Sequence, residues 1–176
     1  MSDDRKSPRN PRDAAHWDAV EDAAELLVED KIPEAMIALR AVILKDPNNP
    51  YAYHHLATAF SEIGQPEAAR DAYQAAVRVE PEFLGARVAL SHTLRALGDH
   101  DGALSQAREA LRRYPRDPEA MHAAGLAHAA KGNRPAAREQ LQGFLAQNPE
   151  FEAAQEVRQI LEMLGLGDDD EPVEFD

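Results

Sequence analysis

Seven histidines stand in a chain of 176 residues that has no cysteine. Four of them, His54, His55, His92 and His122, could approach one another from neighbouring elements, and imidazole is a common metal ligand. The pattern argues against a metal. No carboxylate-and-histidine pair has the tight helical spacing of a known metal motif. The adjacent His54 and His55 would point about 100° apart on a helix, so they are poorly placed to share one ion. Without cysteine there is no thiolate ligand, no thiol nucleophile and no disulfide. Serines are present, but no spacing orients a base on a nucleophile, and there is no Gly-rich phosphate loop, nucleophile elbow or His-Glu-x-x-His. The histidines therefore read as polar rings for recognition, with binding that responds to pH. No enzyme activity, cofactor or metal is expected.

Two further groups carry charge. Arg108, Arg112, Arg113, Arg116, Arg134 and Arg138 concentrate positive charge in a chain whose formal net charge is −13. With Glu109 and Glu139 nearby they read either as a solvated outer face or as a dock for an acidic segment, the chain's own tail included. Residues 168–176, Asp-Asp-Asp-Glu-Pro-Val-Glu-Phe-Asp, are such a segment. There Val173 and Phe175 are apolar anchors among acids, so the stretch reads either as a solubilising tail or as a linear motif. The overall charge opposes non-specific nucleic-acid binding, which needs cations on phosphates, and it could steer a basic partner. The first residues lack the apolar core of a signal peptide. No apolar run approaches the ~20 residues that span a bilayer. A soluble, cytoplasmic protein is expected.

The elements that must position these residues repeat. Pro47, Pro81, Pro115 and Pro149 fall 34 residues apart, as do Gly64, Gly98 and Gly132, with Asp30 in the matching place of an earlier unit. Ala35, Ala69, Ala103 and Ala137 keep the same beat. A fixed period of this size is the signature of a stacked array. The glycine supplies the left-handed conformation that ends one helix. The alanine sits where two helices cross closely. The proline ends the second helix and resets the chain. Residues 1–13, polar and with Pro8 and Pro11, are expected to be disordered because nothing there offsets the ordering entropy. From Phe151 to Leu164 a stripe of Ala154, Val157, Ile160, Leu161 and Leu164 has helical spacing and suits the cap that an open array end needs. Residues 166–176 form the acidic tail.

With these marks at this spacing, the chain resembles the tetratricopeptide repeat family over about residues 16–149. Tyr53, Leu56, Ala57, Phe60, Gly64, Ala69, Tyr73, Ala76 and Pro81 fit its large, small and stop positions. Leu90, Ser91, Leu94, Gly98, Ala103, Ala107, Ala110 and Pro115 repeat them, with Arg87 in a usually aromatic place. Gly125, Gly132, Ala137, Leu141 and Pro149 follow, with His128 replacing an aromatic and Phe144 an alanine. The first unit is atypical, since Asp22 stands where a leucine belongs and Trp17 lies early, as befits a terminal cap. The resemblance implies an all-α, right-handed α-solenoid of four antiparallel helix pairs (about 16–49, 50–83, 84–117 and 118–151) plus a capping helix over 151–165, nine helices in all.

The resemblance also implies that the first helices line a concave groove. It places Trp17, Val20, Tyr51, His54, His55, Thr58, Val88, His92, His122 and Leu126 there, with Glu21, Ala24, Glu62, Ala89, Arg95, Glu119 and Ala123 beside them. Tyr51, Val88 and Leu126 could equally serve only helix packing. The Lys/Asn/Arg clamp that some members use for chaperone-tail carboxylates is absent, because Val20, Ala24, His55, Gly85 and Ala89 hold its places. The implied function is a non-enzymatic adaptor or scaffold that takes a peptide or helix of another protein in its groove, with a monomer slightly favoured. Two alternatives remain: a small acidic secretion-type chaperone holding an unfolded client, and a structural subunit of a larger complex.

Overall fold

A computed structural model describes residues 11–165; residues 1–10 and 166–176, and with them Val173 and Phe175, lie outside the described residues. Ten α-helices run in order: α1 Pro11–Asp18, α2 Glu21–Val28, α3 Ile32–Lys45, α4 Pro50–Glu62, α5 Pro66–Val79, α6 Leu84–Ala96, α7 His100–Arg113, α8 Pro118–Ala130, α9 Arg134–Leu145 and α10 Phe151–Gly165. Their packing makes an all-helical solenoid. The pairs are α2 with α3, α4 with α5, α6 with α7 and α8 with α9, and each pair leans on the next.

The period-34 marks act as their chemistry dictates. Gly64, Gly98 and Gly132 have φ of 70°, 83° and 73°, and Asp30, their counterpart in the first unit, also turns left-handed at 59°. Asp is tolerated there because a short polar side chain visits this region more readily than a branched one. Ala35, Ala69, Ala103 and Ala137 are all fully buried, where the two helices of each pair cross. Prolines stand in the first turn of α3, α4, α5, α8 and α9, where a missing N–H costs little. Asn49, Asp99, Asp117 and Asn133 cap α4, α7, α8 and α9 by accepting from the backbone N–H three residues on, which satisfies an otherwise orphaned donor. A buried serine, Ser91, donates to the Ala103 carbonyl at 2.8 Å and ties α6 to α7. Ala154 and Val157 of α10 are buried at the open end, where Val157 joins Leu141 and Phe144.

The first unit departs from the nine-helix expectation. Its first helix is interrupted at Ala19 and Val20, so ten helices are found among the described residues, and helix α1 already includes Pro11 to Asp13 of the stretch expected to be disordered. The physical reason is a set of ties between α1 and the α3–α4 junction. The Asn49 side chain donates to the His16 carbonyl at 2.8 Å. The Tyr51 hydroxyl donates to Asp13 at 2.7 Å. His16 Nε2 lies 3.0 Å from Asp46. These contacts hold α1 against α4, and the break lets α2 keep its own direction. It also explains Asp22: the residue is exposed, and Val20 and Ala23 fill the core instead.

First helices touch at two of the three steps between units, α2 on α4 and α6 on α8, whereas second helices make their extended contacts with first helices. These contacts fit the expectation that the first helices form the inner layer. No helix among the described residues is long and apolar enough to cross a membrane.

Candidate partner-binding surfaces

The inner layer carries two groups of rings. In the N-terminal half, Trp17 meets Tyr51 edge-on with centroids 5.2 Å apart and His55 at 6.1 Å. Tyr51 meets Phe83 at 5.2 Å. His54 lies 5.1 Å from Phe83, 5.5 Å from Tyr73 and 5.5 Å from His55. Thr58 bridges this group to α5 through the Tyr73 hydroxyl at 3.3 Å. In the C-terminal half, His92 and His122 are 5.6 Å apart, and His122 lies 5.0 Å from Phe144. Offset and edge-on contacts of this kind are the favourable ones for aromatic rings. Trp17, Tyr51, His54, His55, Thr58, His92, His122 and Leu126 are all half-buried, so each presents part of itself to solvent.

The imidazoles are poorly solvated. Burial pushes His54 down to about 4, and repulsion from His55 adds to it. Burial likewise takes His92 to about 4, helped by His122 and Arg95. His55 and His122 are lowered by burial as well. At neutral pH these rings are uncharged and behave as polar aromatics. Two buried polar atoms beside them, His55 Nε2 and Arg95 Nε, make no hydrogen bond. Among the described residues no group of three or more His, Cys, Asp or Glu could hold a metal ion.

Two groove assignments are corrected. Val20 is fully buried in the cluster with Ala23, Leu39, Ala52 and Leu56, and Val88 is 7% exposed among Ala107, Ala110, Ala120, Ala123 and Ala124. A β-branched aliphatic at this register slots between helices, whereas the imidazoles at the same place in other units (His54 and His122) keep an edge in solvent. Leu126 is divided between the two roles, half-buried against Leu141, Phe144 and Val157. Phe83 is a half-buried ring beside Tyr51 and His54 that the expected set lacks, while Tyr73 and Phe144 are buried rings that back the histidines. Phe83 lies at the N-cap of α6, so a reading confined to helix faces passes over it; Phe144 was visible as a ring in place of a small residue.

The arginines have different partners. Arg108 and Arg112 line a cleft of about 480 Å³ together with Arg87, Asp101, Glu109 and Lys131. Arg112 is paired with Glu109 at 2.9 Å, Lys131 with Asp101 and Arg113 with Glu82. Arg138 donates to the Leu164 carbonyl at 3.1 Å and so holds the end of α10. Arg134 is an exposed residue at the start of α9. The cleft has a cause in the sequence. Arg87 stands one period after Tyr53 and one before Met121. Its guanidinium is drawn aside to the Pro81 carbonyl at 2.7 Å and to Gln106 at 2.8 Å.

Comparison with known proteins agrees with this geometry. A family model described as Tetratricopeptide repeat matches residues 54–118 and 88–150. The human protein DnaJ homolog subfamily C member 3 is 27% identical over 99 residues, which is 56% of this chain. The chain spans only 20% of that protein's length. Among solved structures, the MamA RS-1 ArsTM double mutant superposes with a TM-score of 0.76 at 18% identity, covering 88% of this chain and 86% of its own. YrrB, a TPR protein with an unusual peptide-binding site, superposes with a TM-score of 0.68 at 25% identity, covering 78% of this chain and 71% of its own. The family model covers more than half of the residues, on repeats whose turns, crossings and stops are the ones described above, and the chain belongs to the tetratricopeptide repeat family.

Proposed function

We propose that this protein is a non-enzymatic adaptor or scaffold that holds a peptide or helical segment of another protein along its inner, ring-lined face. One observation carries the reading. The half-buried rings of Trp17, Tyr51, His54, His55 and Phe83 sit together on one stretch of the face, and those of His92 and His122 on the next. A segment with apolar or aromatic side chains would cover the half-buried rings. Repeats of this family are generally interaction modules, and YrrB carries a peptide-binding site.

The test starts from a displayed peptide library selected on the intact protein. Selected peptides should change the fluorescence of Trp17, the one tryptophan in the chain. His54→Glu and His122→Glu should each weaken binding at least tenfold, while Arg108→Glu leaves it unchanged. Peptides that bind the groove variants as well as the parent would remove the groove from the argument.

A second reading, the structural subunit, is favoured by Ile37 and Leu44. They are 70% and 84% exposed on α3, whereas the places one period on hold Asp71 and Arg78. Sedimentation of Ile37→Asp with Leu44→Asp beside the parent discriminates: an assembly that dissolves supports this reading, and identical monomers refute self-assembly through that face.

A further inference from the structure

We propose that residues 166–176 of this chain fold back in cis onto the cationic cleft beside α7 and occupy it. The cleft lies apart from the ring-lined groove, and the inference does not rest on the function proposed for that groove. Arg87, Arg108, Arg112 and Lys131 line it against Asp101 and Glu109, a surplus of positive charge in a chain of net charge −13. Leu104 contributes an apolar floor. Residues 168–176 carry six carboxylates, with Val173 and Phe175 among them, so charge and apolar content both complement the cleft.

The place where α10 ends makes the occupant local. Arg138 holds the Leu164 carbonyl, so the chain leaves α10 beside the second turn of α9. Lys131, on the wall of the cleft, lies in the turn just before α9. Only the turn of residues 131–133 and about 6 Å of helix axis from Arg134 to Arg138 separate the two points. Residues 166–176, extended, reach up to about 36 Å.

Electrostatics favours a tethered occupant over a free one. Arg112 and Lys131 already have carboxylate partners, so a free acidic peptide would gain only a modest, salt-screened attraction. A short tether raises the local concentration of the same segment to roughly millimolar, enough to populate a weak contact.

The experiment uses the full chain and its lack of cysteine. Asp176→Cys is labelled with a nitroxide on an isotopically labelled protein, and amide peak intensities are read by NMR. At low ionic strength, amides of Ser105 to Arg112 and of Lys131 should lose half or more of their intensity. The loss should vanish near 1 M salt, where the screening length is about 3 Å, and in Arg108→Glu with Arg112→Glu; if that pair unfolds, Arg108→Gln with Arg112→Gln replaces it. No loss at low salt overturns the proposal, as does a loss that survives charge reversal. Equal loss when spin-labelled, isotope-free chain is mixed with label-free, isotope-enriched chain overturns the cis assignment in favour of a second copy.

Discussion

Lowering the pH from 7 to 5 should destabilise this protein through its groove histidines. His54 and His92 are held near 4 in the folded state against an ordinary value of 6.5. Their charged forms are thus disfavoured by folding. Above about 6.5 both states are neutral and the penalty is absent; it grows as pH falls through 6.5 and is complete below about 4. At pH 5 linkage gives about 2 kcal/mol for each ring. His54 faces His55, Tyr73 and Phe83, and His92 faces His122 with Arg95 near. The two rings are not in contact with each other, so their effects should add to about 4 kcal/mol. The exposed carboxylates Asp101 and Glu109 are lowered by Lys131 and Arg112. Their contribution is present above the usual carboxylate range and is lost only as pH falls through it, below this window. Urea denaturation followed by helical circular dichroism at pH 7, 6 and 5 reads the effect. With a slope of about 2 kcal/mol per molar, the midpoint should drop by about 2 M. His54→Phe with His92→Phe should remove the share of these two rings, leaving what His55 and His122 contribute. The reasoning is refuted if the parent is flat between pH 7 and 5, or if the double variant falls as steeply as the parent.

Substitutions at three positions probe the framework. Ala69 is fully buried beside Ala57 and Tyr73, so Ala69→Leu should cost about 1–3 kcal/mol by overpacking, and an unchanged denaturation curve would count against the repeat register. Asn49 both caps α4 and holds the His16 carbonyl; Asn49→Ala should cost about 1–3 kcal/mol and shift Trp17 emission to the red as α1 loosens, with Asn49→Asp keeping the cap but losing the second bond. Gly98 has φ of 83° and open space around its missing Cβ. Gly98→Ala should therefore cost about 1 kcal/mol from backbone strain alone, and a Gly98→Asn variant, nearer the parent in thermal melting, would identify the strain as the cause.

The histidines show where legibility stopped. Their positions along the inner helices follow from the 34-residue beat, and so does their exclusion from any tight metal motif. The resistance of His54 and His92 to protonation below pH 6.5 does not, because it depends on how completely their neighbours bury them. The same limit explains Val20 and Val88. Register puts them on the same face as His54 and His122, but exposure is decided by the depth to which a short branched side chain sinks between helices. Arg87 was visible as a departure from an aromatic place. That the departure accompanies a cleft lined with Arg108, Arg112 and Lys131 depends on the stacking of three helices.

By itself the sequence determined the repeat: glycines that must turn left-handed, alanines where helices cross, prolines that stop them. Each of these is a local steric demand, met within a few residues of itself. Tertiary structure alone decided the break before Glu21, the docking of α1 through Asn49 and Tyr51, the burial of two expected groove residues and the partners of the arginines. Those outcomes depend on contacts between residues some 20 to 40 positions apart, and a periodic pattern carries no information about side chains that meet across its units.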